Sequence, residues 1–224
     1  MEGAEGGHAV SLLANESTRS ACGSGLKRKR NLKHSDLNEV RGPSKKNKKR
    51  RRNIMETLET ERLILRPLCE DDYLDCFKWC GDARVNEYMI YPLYKKAEDV
   101  KEWLKTVNDD ERSMCFGYVL KETGELIGSG SVDFQEDEGN RWSIGYNLAY
   151  DAWGKGYATE AISKIIEYAR SRFEIKEIYG TFAVENNGSR RVMEKLGMTF
   201  FEDCEYTKFD GSRTYKAKTY RKEF

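Results

Sequence analysis

Histidine is almost missing from this chain: His8 and His34 are its only two, and both lie within the first 54 of 224 residues. The remainder therefore has no imidazole for a Ser-His-Asp triad or for a histidine-based zinc site. The six cysteines include no Cys-x-x-Cys pair, so no metal site is expected. Chemistry in residues 55–224 must rest on carboxylates, hydroxyls, thiols, backbone amides and water.

Long apolar runs are missing as well. No segment approaches the roughly 18 apolar residues of a membrane span. The stretch AVSLLA at 9–14 follows acidic rather than basic residues, unlike a secretory signal. We therefore expect no membrane association, reduced thiols and a cytoplasmic location.

The first 54 residues contain no phenylalanine, tyrosine or tryptophan. They carry 14 Lys and Arg against 5 Asp and Glu, whereas residues 55–224 carry 25 against 33. A highly charged segment without aromatic side chains cannot bury enough apolar surface to offset the entropy of ordering. We expect a disordered basic tail over 1–54 and one folded domain over 55–224.

Two basic clusters lie in this tail, KRKR at 27–30 and KKNKKRRR at 45–52. Their spacing is typical of a bipartite nuclear import signal, and such clusters also bind nucleic acid by counterion release. A solvated extension with neither role is the simpler explanation. If the tail acts as an import signal, the location would be nuclear.

Apolar periodicity divides residues 55–224 into strands and helices. Helices are expected over 73–80, 97–107, 159–173 and 189–196, the third of them with a continuous apolar face. Strands are expected over 61–68, 114–120, 126–134, 141–149, 178–184, 198–206 and 213–220. Because strands and helices are mixed, the class is α+β or α/β around one central sheet.

The stretch WGKGYAT, residues 153–159, joins a predicted strand to a predicted helix. Backbone N–H groups at a helix N-terminus attract anions, and glycines let a phosphate approach the backbone. The stretch is neither a Walker A loop nor a dinucleotide fingerprint, because Thr159 stands where the fingerprint requires glycine. On spacing alone, a tight strand-to-helix connection is the simpler explanation.

Two longer segments are more informative. GYNLAYDAWGKGYATEAISKIIEYA at 145–169 and VENNGSRRVMEKLGM at 184–198 together resemble the GNAT superfamily of acetyl-CoA-dependent N-acetyltransferases. ETERLILRPL at 59–68 resembles the opening strand of the branch typified by ribosomal-protein N-terminal (alanine) acetyltransferases. The resemblance covers 55–224. It implies an α/β/α GNAT fold, with helices around a mixed, mostly antiparallel twisted sheet of about seven strands that splits in a V after the fourth.

The resemblance also implies which residues bind the pyrophosphate of acetyl-CoA: Trp153, Gly154, Lys155, Gly156, Tyr157, Ala158 and Thr159. Trp153 replaces the Gln or Arg of the general family pattern. The contact that this side chain would make with the pyrophosphate is therefore open, whereas the contacts from the backbone amides of 154–159 are still implied. Thr159 could cap the helix and add its hydroxyl to a phosphate.

The splayed fourth strand of the family corresponds to residues 144–148. Backbone N–H groups near Asn147 and Leu148 would hold the thioester carbonyl and stabilise its oxyanion. Asn186 matches the asparagine that contacts the pantetheine arm, and Ser189 the serine proposed as general acid for the leaving thiolate. From the residues alone, Asn186 would only form a turn and Ser189 only a helix cap; we expect both roles for Ser189.

The implied reaction is direct acetyl transfer to a primary amine, so no activated cysteine is needed. An α-amine has a pKa of about 8 against about 10.4 for lysine, and a modest base suffices for it. The resembling branch assigns this task to a glutamate after the KLGM segment. Counting forward from Met198 places the position of that glutamate at 205–208. Lys208 matches the position most closely, and Glu205 is the nearest carboxylate. Glu87 is the competing candidate, and a solvated surface role is open for both glutamates; Glu160 and Tyr146 are interpreted as packing groups.

Two segments are candidates for the acceptor site, 86–96 and 135–141. Their tyrosines and acidic residues suit a cationic acceptor, or equally a solvated hairpin. Three functions remain open: acetylation of a protein N-terminal α-amine, acetylation of a small amine such as a polyamine or aminoglycoside, and a non-catalytic binding module whose tail engages nucleic acid or an import receptor. The intact motifs at 153–159 and 185–189 favour the enzymatic functions, with the protein as a monomer or homodimer.

Overall fold

The computed structural model describes residues 55–136 and 139–224. The predictions for the basic tail, including its disorder and its possible partners, lie outside the described residues, as do Asp137 and Glu138 of the second acceptor segment.

Eight strands form one mixed sheet in the order β1-β2-β3-β4-β5-β6-β8-β7. All neighbouring strands are antiparallel except β5 and β6, which are parallel. The strands are β1 Leu58–Glu59, β2 Leu63–Pro67, β3 Ser113–Leu120, β4 Leu126–Gln135, β5 Arg141–Leu148, β6 Glu177–Ala183, β7 Thr199–Thr207 and β8 Thr214–Glu223. The seven predicted strands are confirmed with shifted ends, and the two-residue β1 is added.

The sheet splits between β5 and β6. These strands pair only at their first residues, Trp142 with Ile178 and Ser143 with Tyr179, and then diverge. The remaining residues of β5 therefore border a gap on the side facing β6. The gap follows the fourth of the seven predicted strands, as the predicted split requires.

Helices cover both faces of the sheet. They are α1 Tyr73–Cys80, α2 Ala83–Asn86, α3 Ala97–Leu104, α4 Tyr157–Arg172 and α5 Asn187–Lys195. Strand β3 shows the two faces by alternation: Met114 and Phe116 pack with α4, whereas Cys115 packs with α1 and α3. The predicted α/β/α arrangement is confirmed. No helix within the described ranges is both long enough and apolar enough to cross a membrane.

Helix α4 forms for the predicted reason. Its buried face consists of Ala158, Ala161, Ile162, Ile165, Ile166 and Ala169, which recur at helical spacing. The chain leaves the helix at Phe173, whose φ of −134° is extended. Packing this face on the sheet fixes where α4 begins, and hence where residues 153–159 lie.

Candidate active site

Residues 153–159, here called the cradle loop, run from the end of β5 into α4. Gly154 and Gly156 have φ of +75° and +81°, in the left-handed region that favours glycine. Gly156 is the N-cap of α4, and the first bond within the helix is donated by Glu160 N–H to the Gly156 carbonyl, 3.1 Å. The preceding N–H groups of the first turn have no acceptor in the helix. They are donors for an anion at this N-terminus.

The space beside Gly156 is open. A Cβ placed there would meet only the Arg62 guanidinium within 4 Å, at 3.5 Å. Trp153, at the position where the general pattern has Gln or Arg, donates its indole N–H to the Leu148 carbonyl, 3.0 Å. The tryptophan thus ties the loop to the end of β5.

Two capping predictions are wrong. The N-cap of α4 is Gly156 and the helix begins at Tyr157. Thr159 is therefore the third helical residue and does not cap the helix. Ser189 is likewise the third residue of α5. Asn186 is the N-cap, and its Oδ1 accepts from Ser189 N–H at 3.0 Å. The Ser189 hydroxyl makes a separate contact.

That contact is with Tyr146 on β5. The Tyr146 hydroxyl and Ser189 Oγ lie 2.9 Å apart, and both side chains are fully buried. Burial raises the pKa of Tyr146, so its phenol keeps its proton at neutral pH. Tyr146 therefore does more than pack: it holds the Ser189 hydroxyl across the gap between β5 and α5.

The register of β5 determines which of its N–H groups face the gap. Ala149 N–H donates to the Ile127 carbonyl of the β4 edge, 2.8 Å. Because N–H groups alternate in direction along an antiparallel strand, that of Asn147 points to β4 and that of Leu148 points into the gap. Of the two residues expected to hold a thioester carbonyl, the geometry favours Leu148.

The Asn147 side chain serves a different purpose. Its Oδ1 accepts from Ser129 Oγ at 2.8 Å, and its Nδ2 donates to the Tyr91 hydroxyl at 3.0 Å. Tyr91 belongs to a segment, 82–94, that comprises α2 and the loop after it; we call it the bridge. Asn147 thus anchors one end of the bridge beside the gap.

The hairpin β7–β8 anchors the other part of the bridge. Tyr206 donates its hydroxyl to the Tyr88 carbonyl, 2.7 Å, and Tyr215 donates to the Glu87 carbonyl. Phe209 N–H donates to the Ile90 carbonyl, 2.8 Å. The bridge therefore spans the split sheet from β5 to β8, and it forms most of the first predicted acceptor segment.

Lys208 donates three hydrogen bonds to the bridge, more than the tyrosines or Phe209. Its Nζ donates to the Asn86 carbonyl at 2.7 Å, Asn86 Oδ1 at 3.0 Å and the Met89 carbonyl at 2.8 Å. An ammonium has three N–H donors and no acceptor, so these contacts use all of it. Lys208, the position in closest register for the base, is an anchor of the bridge.

Replacing Lys208 by methionine is expected to loosen the bridge, because two oxygens of Asn86 and one of Met89 each lose one hydrogen-bond donor. We expect about 2–3 kcal/mol of lost stability and a KM for the acceptor raised several-fold. The KM for the donor should stay unchanged. Melting curves and steady-state kinetics check this. Lys216→Met, at an exposed position of β8, is the control, and equal effects of the two substitutions would contradict the role of Lys208.

The two candidate bases lie in different places. Glu87 is exposed at the end of α2, within the bridge. Glu205 is exposed on β7 and, by strand alternation, points to the face opposite Tyr206, whose hydroxyl contacts the bridge. The fold therefore brings Glu87 to the acceptor segment and directs Glu205 away from it. Both base assignments stay predictions.

Sequence reasoning did not identify Glu185 or Arg62. Burial is the main cause that raises the pKa values of Tyr88, Tyr206 and Tyr215, and the nearby charge of Glu185 adds to it, so this carboxylate lies close to the tyrosines that hold the bridge. The position of Glu185 directly before Asn186 in the sequence could have indicated that it lies near the site. Nothing in the spacing of the sequence connects Arg62 with the cradle loop.

The three buried thiols, Cys76, Cys80 and Cys115, are not activated. Burial raises the pKa of Cys80 to about 12, and it raises the pKa of Cys76 and Cys115 as well. No group of three or more His, Cys, Asp or Glu residues in the described part of the chain could hold a metal ion. The arrangement combines anion-binding amides, a gap-facing N–H and a positioned hydroxyl, which together suit acyl transfer from a phosphate-bearing donor.

The chain is similar to known proteins in sequence and in fold. A family model described as an acetyltransferase (GNAT) domain matches residues 62–199. The uncharacterized N-acetyltransferase p20 of Bacillus licheniformis is 33% identical over 146 residues, which are 63% of this chain and 82% of that protein.

Two solved structures show the same fold. Ribosomal-protein-S5-alanine acetyltransferase from Vibrio fischeri has a TM-score of 0.62 and 16% identity, covering 75% of this chain and 97% of its own. The microcin C7 self-immunity acetyltransferase MccE, in complex with acetyl-CoA and AMP, has a TM-score of 0.64 and 19% identity, covering 74% and 94%.

Proposed function

Because this chain belongs to the GNAT family of acetyltransferases, we propose that it acetylates the N-terminal α-amine of a protein, with acetyl-CoA as donor. That it is an N-acetyltransferase follows from the family and the relatives. The proposal concerns the acceptor, the identity of the donor-binding residues and the roles of the residues around the gap.

The cradle loop fits the pyrophosphate of acetyl-CoA. Two left-handed glycines leave its backbone uncovered, and the first N–H groups of α4 point outward from a positive helix end. Asn186, buried at the start of α5, would contact the pantetheine arm that runs along the gap. The Leu148 N–H would then donate to the thioester oxygen as negative charge develops there.

In the reaction, the amine nitrogen forms a bond to the acetyl carbon while the carbon–sulfur bond breaks. The amine loses a proton to water or to a carboxylate, for which Glu87 is the candidate that the fold brings to the acceptor segment. The leaving thiolate takes a proton from the Ser189 hydroxyl, which Tyr146 holds in place, and Ser189 then regains a proton from water. No acyl-enzyme is needed, in keeping with the raised pKa values of the buried thiols.

The observation that carries the choice of acceptor is the weakness of the available bases. Residues 55–224 contain no histidine, and both candidate carboxylates are exposed. Such groups suit an acceptor that is already partly neutral, and an α-amine with a pKa of about 8 meets this far better than a lysine. The likeness in fold to a ribosomal-protein-alanine acetyltransferase supports the same choice.

A small amine is the second candidate. Tyr88, Tyr206 and Tyr215 form an aromatic cluster beside the carboxylates Glu87 and Glu185. The Arg213 guanidinium already lies 4.5 Å from the centre of the Tyr215 ring, so it is Tyr88 together with the two carboxylates that suits a compact cation. The likeness to MccE, whose structure holds AMP, is compatible with a small acceptor.

Melting curves with increasing acetyl-CoA test the donor. Saturating acetyl-CoA should raise the melting temperature, since binding to the folded state alone stabilises it. Release of free thiol in the presence of peptides with free N-termini, N-blocked peptides and polyamines then tests the acceptor. We expect turnover only with peptides that have free N-termini. Turnover only with polyamines would reject the α-amine as acceptor. No stabilisation by acetyl-CoA would reject acetylation of either acceptor.

A further inference from the structure

Arg62, just before β2, reaches the cradle loop from a distant part of the chain. Its guanidinium donates through NH1 to the Lys155 carbonyl, 2.9 Å, and lies 4.6 Å from the centre of the Tyr157 ring. The same group is the nearest atom to the open side of Gly156. One side chain therefore contacts Lys155 and Tyr157 and borders the open side of Gly156 between them.

Glu160, in the first turn of α4, holds Arg62 in this position. Its Oε2 accepts from Arg62 Nε at 2.7 Å and lies 2.6 Å from Arg62 NH2. Its Oε1 accepts from the Arg62 backbone N–H at 2.9 Å and from Thr60 Oγ1 at 2.6 Å. Burial alone would raise the pKa of Glu160, but these hydrogen bonds outweigh it and lower the pKa. Several hydrogen bonds therefore hold Arg62 to Glu160, through both its side chain and its backbone.

The contact with the Lys155 carbonyl sets the direction of the next N–H group. In a trans peptide the C=O and N–H bonds point in opposite directions. Arg62 pulls the Lys155 carbonyl toward β2, so the Gly156 N–H faces away from Arg62. Without that bond, the peptide between the exposed Lys155 and the half-buried Gly156 would be free to rotate, because residues 154 and 156 are left-handed glycines.

Building on the proposed function, we infer that Arg62 and Glu160 are positioning residues for the pyrophosphate of acetyl-CoA. They act through the cradle loop, by fixing its peptides and the first turn of α4 in the orientation that binds the phosphates. Preorganised donors bind more tightly because no ordering of the loop is needed on binding.

Kinetics with two donors test the inference. Arg62→Ala should raise the KM for acetyl-CoA about tenfold, the loss of roughly one charge-assisted hydrogen bond, while kcat changes less than about twofold. With S-acetylpantetheine, which has no pyrophosphate, the variant and the wild type should have equal KM. Arg62→Gln, which keeps one N–H donor, and Glu160→Gln, which keeps an acceptor, should each give a smaller increase with acetyl-CoA.

Lys121→Ala is the matched control, because it removes an exposed ion pair with Glu59 on the same sheet edge, 2.9 Å long. It should leave both KM values unchanged. An equal rise with both donors, or an unchanged KM for acetyl-CoA in folded Arg62→Ala and Arg62→Gln, would overturn the inference. Failure of the wild type to bind acetyl-CoA would instead reject the proposed function, before any variant is compared.

Discussion

Replacing Gly156 by aspartate is expected to abolish binding of acetyl-CoA. The new carboxylate would lie at the N-terminus of α4, where only the Arg62 guanidinium is within 4 Å of its Cβ, at 3.5 Å. It would repel the pyrophosphate and also compete with the Lys155 carbonyl for Arg62. Two like charges about 4 Å apart near a protein surface repel by about 4 kcal/mol, which corresponds to a loss of affinity of about 10³-fold. Melting curves of the variant should not move when acetyl-CoA is added.

Gly156→Asn separates charge from backbone strain. Asparagine has nearly the size of aspartate, and both residues tolerate the left-handed conformation that φ of +81° requires. Both variants should melt at about the same temperature without ligand. The asparagine variant should lose no more than about tenfold in affinity. If the two variants bind acetyl-CoA equally well, the loop does not receive the phosphates.

Replacing Ser189 by alanine should slow turnover while leaving the donor bound. General acid catalysis contributes 10²–10⁴-fold, and we expect a loss in kcat of about 10²-fold, the low end, because a thiolate leaves more readily than an alkoxide. The KM for acetyl-CoA should change less than about twofold. Steady-state kinetics with a peptide acceptor measure both quantities.

Tyr146→Phe is the companion variant. It removes the hydroxyl that lies 2.9 Å from Ser189 Oγ but keeps the ring in the core. Because Ser189 retains its own proton, kcat should fall by only about tenfold. If Ser189→Ala lowers affinity and kcat alike, or if Tyr146→Phe is the more damaging change, Ser189 is not the proton donor.

The sequence predicted best those features that depend on neighbouring residues. The apolar face of α4 and the strands on either side of it repeat over short distances, and their positions are confirmed within a few residues. The start of α4 was less well predicted, because the left-handed Gly156 occupies the N-cap that Thr159 was expected to provide. The short helix α2 and the two-residue β1 were missed, since four and two residues carry no measurable periodicity.

The acceptor side could be predicted least. The register counted forward from Met198 reached Lys208, but a bulge between Phe200 and Glu202 alters the pairing of β7 with β8. Whether Lys208 is an anchor or part of the site depends on Asn86 and Met89, 122 and 119 residues away in the chain. No local pattern encodes such a contact. The contact between Arg62 and Glu160, which are 98 residues apart, could not be predicted from the sequence for the same reason.

The attachment of the bridge to the last hairpin has a consequence for the order of folding. The bridge is synthesised early, yet Tyr215 and Lys208 reach it across 128 and 122 residues. Closing so long a loop costs entropy before any contact compensates for it, so contacts of this separation form late. During synthesis, the half of the domain that contains the cradle loop can assemble while β8 is still inside the ribosome. The contacts that hold the bridge, the segment proposed to bind the acceptor, are then completed only after β8 has emerged.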